Sequence, residues 1–187
     1  YKTDLGLALY RVREIIEKNE ISFLSAKSDI SKLLASEKAK NEIFKILNCI
    51  AIALGKKAVS LGPGDPLTRA LMGHIYQNAG MNDAAEDEYR TSIDLNPNNG
   101  VPWFGLGWML IWDNRYEEGR EAILESLHLE PNDPMTGRKY VALAVSHLGE
   151  NSLEEARSSI NKAVVSGVQW PAYVIQASIY ASIGELE

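Results

Sequence analysis

The chain of 187 residues has one cysteine, Cys49, so no intramolecular disulfide is open to it. Cys49 lies in ILNCIAIAL and is expected as a small buried apolar residue. No basic group is placed to activate its thiol, and a single cysteine fits a reducing compartment. Histidine is scarce as well. His74, His128 and His147 stand far apart without metal-ligand spacing, so no metal is expected. Gly62, Pro63 and Gly64 make a turn and not a phosphate-binding loop, and no Ser/His/Asp arrangement is apparent. The expectation is a protein without catalytic residues or cofactor, and not an enzyme.

Basic residues are outnumbered, 19 Lys+Arg against 25 Asp+Glu, for a formal charge of −6. A nucleic-acid partner, which wants a basic face, is not expected. Long apolar runs are also missing. The extreme case is VPWFGLGWMLIW, residues 101–112, with three of the four tryptophans. As a helix it spans about 18 Å against about 30 Å of hydrocarbon, so no membrane span is expected. Asp113, Asn114 and Arg115 follow it directly. There is no initiator methionine or signal-peptide pattern, and the chain ends in SIYASIGELE, where a helix hairpin is cut short. A cytoplasmic piece of a longer protein is the expectation.

What is present is a repeat. Shifted by 34 residues, SIDLNPNNG at 92–100 falls on SLHLEPNDP at 126–134, and ALMGHIY at 70–76 falls on FGLGWML at 104–110. Pro63, Pro97 and Pro131 follow the same step, as do Gly73 with Gly107 and Ser92 with Ser126. The charge divides near the first of these prolines: residues 1–62 carry net +4 and residues 63–187 net −10. A 34-residue period with helical patterning resembles the tetratricopeptide repeat. Its pattern W-x-x-L-G-x-x-Y, A-x-x-x-F-x-x-A, P is met by Arg69, Met72, Gly73, Tyr76, Ala85, Tyr89, Ser92 and Pro97. It is met again by Trp103, Leu106, Gly107, Leu110, Gly119, Ile123, Ser126 and Pro131. A third repeat, with about three extra residues, carries Tyr140, Leu143, Ala144, His147, Ala156, Ile160 and Ala163, and its closing Pro171 comes late. A fourth hairpin opens with Tyr173, Ala177 and Tyr180. Upstream, Ala51, Gly55, Ala58 and Pro63 match a second helix, whereas SKLLASEKAKNEIFK departs from a first one. Residues 5–18 carry one apolar helical face.

The resemblance implies an all-α chain, an α-solenoid of antiparallel helix hairpins. Its parts are an N-terminal helical segment (1–45), a half-repeat (46–65), repeats at 66–99, 100–133 and 134–169, and a partial repeat at 170–187. Helices are expected at 66–80, 84–95, 100–113, 117–129, 137–149, 153–165 and 171–183. In such arrays the first helices line a concave groove through positions 2, 5, 9, 12 and 13. Those are Val101, Phe104, Trp108, Ile111 and Trp112, all apolar, and in the preceding repeat Leu67, Ala70, His74, Gln77 and Asn78. The third repeat offers Arg138, Val141, Val145, Leu148 and Gly149 in a looser register. No lysine falls at these positions, so the clamp by which some relatives hold a chaperone's terminal carboxylate is not expected.

Phe104, Trp108 and Trp112, spaced i, i+4, i+8, form one stripe that something must cover. A bound peptide or helix, a second copy of the chain, or residues 1–45 would do so. The leading expectation is a bacterial protein–protein interaction module, a scaffold or regulatory part of a larger protein, with the groove as its site. Homo-oligomerisation is the alternative. A third reading is a regulatory region, since the style of residues 129–163 loosely resembles the C-terminal repeat regions of bacterial class III adenylate cyclases and winged-helix regulators.

Overall fold

The computed structural model describes residues 37–167, 175, 176 and 178–180, and every regular element among them is an α-helix. In chain order these are α1 (Glu37–Leu61), α2 (Pro66–Asn78), α3 (Asn82–Leu95), α4 (Gly100–Trp112), α5 (Tyr116–Leu129), α6 (Thr136–Gly149) and α7 (Leu153–Val165). Each of α2 to α7 falls within a few residues of its expected range. The helical face read at 5–18 lies outside the described residues, as does most of 171–183. None of the described helices is long and apolar enough to cross a membrane.

The chain divides into two compact units, 1–53 and 54–187. α1 runs unbroken through residue 46, so the expected start of the array is not an element boundary. In the first unit Cys49 is exposed, which corrects its expected burial. Lys45, Cys49 and Ala53 form one exposed i, i+4 stripe of α1, and Ile43, Ile46 and Ile50 are half-buried instead. A run apolar on all sides carries no periodicity to tell which side faces out.

The second unit is built from hairpins repeated at the spacing of the sequence. Asp65 caps α2 by accepting from Thr68 N–H, and 34 residues on Asn99 caps α4 by accepting from Val101 N–H. Pro66 and Pro102 sit in the first turns, where a missing N–H costs nothing. Each first helix ends through one left-handed residue, Gly80 (φ 74°), Asn114 (φ 62°) or Asn151 (φ 58°), types that tolerate this region. The next N–H then bonds back: Met81 to the Tyr76 carbonyl, Arg115 to that of Leu110, and Ser152 to that of His147. The third step is 37 residues long, because the extra residues lie in the loop between Glu130 and Thr136 and leave the helices in register.

Within a hairpin the helices run antiparallel and close. Ser126 Oγ donates to the Gly100 carbonyl at 2.7 Å, and Ser92 Oγ donates to that of Pro66 at 2.6 Å. A Cβ on Gly107 would stand 2.7 Å from the Gly119 carbonyl oxygen, and one on Gly119 would stand 2.6 Å from Ile111 Cγ1. The small motif residues are therefore the crossing points. Buried core residues occur in every hairpin, among them Met72, Tyr89, Leu106, Leu110, Ile123, Ala144, Ala156 and Ile160, and Ile179 packs with the last three beyond α7.

Candidate partner-binding groove

The stretch 101–112 lies in α4, the first helix of the middle hairpin, which buries one face in the core and turns the other to an open cleft. Leu106, Met109 and Leu110 are each at most 2% exposed. Trp103 Nε1 donates to the Pro97 carbonyl, tying the helix start to the preceding loop. One aromatic stripe remains: Phe104 and Trp108 have ring centroids 6.1 Å apart, and Trp108 and Trp112 are 6.2 Å apart edge to face.

Beside this stripe lies an open cleft of about 280 Å³. The first helices of three successive hairpins line it: Ala70, Leu71, His74 and Gln77 from α2, Val101, Phe104, Gly105 and Trp108 from α4, and Arg138 from α6. Met135 closes one side, and Tyr89 of α3 forms the floor. Tyr89 fits there because Gly73 and Gly105 leave it room; a Cβ on either would stand 2.8 Å or 2.5 Å from its ring. Its hydroxyl donates to Gln77 Oε1 at 2.9 Å, and burial pushes its phenol pKa up.

Of the residues expected at the groove, Ala70, His74, Gln77, Val101, Phe104, Trp108 and Arg138 share this cleft. Trp112 does not line it and is 63% exposed at the end of the stripe. Asn78 does not line it either; it is exposed, its amide donating to the His74 carbonyl. Ile111 is a correction. It is 2% exposed and packs with Ile123, Ala142 and Leu143, so no groove ligand reaches it. Trp108 is shared between two roles: it lines the cleft and packs against the buried clusters that hold Val141, Ala142 and Ala144 of the next hairpin. Sequence reasoning missed Leu71, Tyr89, Gly105 and Met135. Tyr89 sits on a second helix, and Met135 sits in the loop that carries the insertion.

Polar contacts hold the frame around the cleft. Lys139, fully buried, pairs with Asp133 at 2.9 Å and donates to the Ser126 carbonyl at 3.2 Å. Burial raises the Asp133 carboxyl pKa, but Lys139 and the Met135 N–H outweigh it and hold the group below its ordinary value. Glu130 joins the same lysine at 3.7 Å and accepts from Gly100 N–H. Arg115 bridges Glu86 of α3 and Glu118 of α5 at 2.7 Å each, joining consecutive hairpins. Burial, and after it Arg120, depresses the pKa of His147. No group of His, Cys, Asp or Glu among the described residues could hold a metal ion.

The tetratricopeptide repeat family matches residues 68–99. The chain is 25% identical over 109 residues to small glutamine-rich tetratricopeptide repeat-containing protein 2 of Mycosarcoma maydis, covering 58% of this chain and 31% of that protein. It thus spans about a third of that relative's length. Among solved structures, PilW, a type IV pilus biogenesis factor, aligns with a TM-score of 0.67 at 18% identity, over 81% of this chain and 72% of that one. PilF of Pseudomonas aeruginosa gives 0.66 at 19%, over 77% and 69%. MamA gives 0.63 at 16%, over 72% and 77%. Such identities establish likeness of fold. With its matched repeat and these neighbours, the hairpin array is a tetratricopeptide-repeat-like α-solenoid.

Proposed function

We propose that the chain is a protein–protein interaction module that seats a peptide or helix of a partner in the cleft between α2, α4 and α6, as a scaffold or regulatory part of a larger protein. Tetratricopeptide repeats in general mediate protein–protein interaction and scaffolding. The observation that carries the reading to this face is the convergence of three first helices on one open, largely apolar cleft. Val101 and Leu71 stand 46% and 55% exposed at its mouth, more apolar surface than a free wall needs. We take the array to begin in the C-terminal half of α1, whose Gly55 faces Met72 closely.

Random 12-residue peptides displayed on phage test this. Binders enriched on the wild-type chain should lose about tenfold or more of their affinity on Leu71→Gln with Val101→Gln. Both side chains are exposed, so the fold should survive, as circular dichroism would check. Binders indifferent to that double change would place the site elsewhere. Self-association is the second reading, favoured by the exposed Trp112 at the end of the aromatic stripe. Sedimentation of Trp112→Ser tests it: a dimer that dissociates would favour a second copy as occupant, and an unchanged monomer would remove that reading.

A further inference from the structure

Resting on the groove reading, we propose that the partner segment carries a single side-chain carboxylate within about one helical turn of a bulky apolar anchor, the anchor seated on Phe104 and Trp108 and the carboxylate on Arg138. The first observation is the pairing of the arginines. Arg69, Arg90, Arg115, Arg120 and Arg157 each hold a carboxylate of the chain. Arg138 lines the cleft, and its guanidinium has no hydrogen-bond or ion-pair partner among the described residues.

Nearby acids do not supply one. Glu130 and Asp133, on the loop leading to α6, are both engaged by the buried Lys139. Nor does α6 gain from the charge. Arg138 is its third residue, at the positive end of the helix dipole, where a cation is disfavoured. The imidazole of His74, which lines the same cleft, likewise has no partner among the described residues.

The surroundings narrow the ligand. Residues 63–187 carry net −10, which repels an acidic run and leaves room for one carboxylate placed at Arg138. Phe104, Trp108 and Val101 share the cleft with Arg138, so anchor and acid must be near neighbours. Three or four residues along a helix separate Cβ atoms by about 5–6 Å, which suits a cleft of this size.

The probe is the same displayed 12-residue library, in which the peptide's C-terminus is fused and only side chains can supply a carboxylate. Enriched sequences should share Asp or Glu one to four residues from Trp, Phe, Leu or Met. As amidated synthetic peptides, they should bind Arg138→Glu about three- to tenfold more weakly, and Arg138→Lys within about threefold of wild type. Replacing the shared acid by its amide should cost the wild type the same factor and Arg138→Glu nothing. Peptides that need Leu71 and Val101 but show no shared acid, or bind Arg138→Glu equally well, would overturn the carboxylate while leaving the groove. Peptides indifferent to Leu71 and Val101, or none at all, would overturn both.

Discussion

At the scale of single residues, the close crossings and the buried Lys139 set the sharpest expectations. Even the smallest added side chain at Gly107 has nowhere to go, because the nearest obstacle is the Gly119 backbone carbonyl, with the buried Ile123 Cγ1 2.8 Å away beside it. Gly107→Ala should cost about 1–3 kcal/mol and lower the melting temperature by several degrees. Gly64→Ala, with nothing within 4 Å, should leave it unchanged and serves as the control.

Lys139→Met should destabilise by about 3 kcal/mol, since it strands Asp133 and Glu130 beside an apolar side chain. Adding Asp133→Asn should recover part of that loss in chemical denaturation.

His147 makes the stability depend on pH. Its pKa is lower folded than the ordinary 6.5, so below that value the unfolded chain binds more protons. Unfolding free energy should fall as pH drops from 7 towards 5, and His147→Gln should flatten that slope. A slope unaltered by the substitution would assign the effect to other groups. Asp133 works in a lower window: its depressed pKa contributes stability above 3.8 that is lost as pH falls below it.

At the scale of the element, α4 joins two jobs on one helix. Its core face is filled by Leu106, Met109, Leu110 and Ile111, and its groove face by Val101, Phe104 and Trp108. The two outer tryptophans should therefore respond differently to truncation. Trp108→Ala removes a ring packed against the buried clusters around Ala142 and Ala144 and should cost about 2–4 kcal/mol. Trp112→Ala removes a ring 63% exposed and should cost under about 1 kcal/mol. Thermal unfolding of the two single variants separates these outcomes, and equal losses would mean that Trp112 is covered.

At the scale of the whole molecule, each hairpin of the second unit packs on its neighbours in sequence. Stability in such arrays is close to a sum of hairpin and interface contributions. α4 and α5 have a hairpin on either side, so their amides should exchange with solvent most slowly, and protection should fall towards α7. Uniform protection from α2 to α7 would indicate a single all-or-none core instead.

The local code of the repeat determined where the helices lie. Prolines in first turns, prolines at helix stops and small residues at fixed spacing are read within one hairpin, so α2 to α7 were legible without any tertiary information. The same register brought His74, Gln77, Val101, Phe104 and Trp108 to one cleft, because first helices stack at a regular step. Tertiary structure decided what register cannot carry. Ile111 holds a groove position by count, yet α5 and α6 close over it, and Cys49 lies on the open side of a helix whose apolar run has no marked face. Met135 and Tyr89 reach the cleft from a loop and a second helix, outside the positions that counting visits. The isolation of Arg138 was likewise invisible in sequence, since charge pairing depends on which carboxylates other helices bring near, and here Lys139 is buried between the only two that the adjoining loop provides.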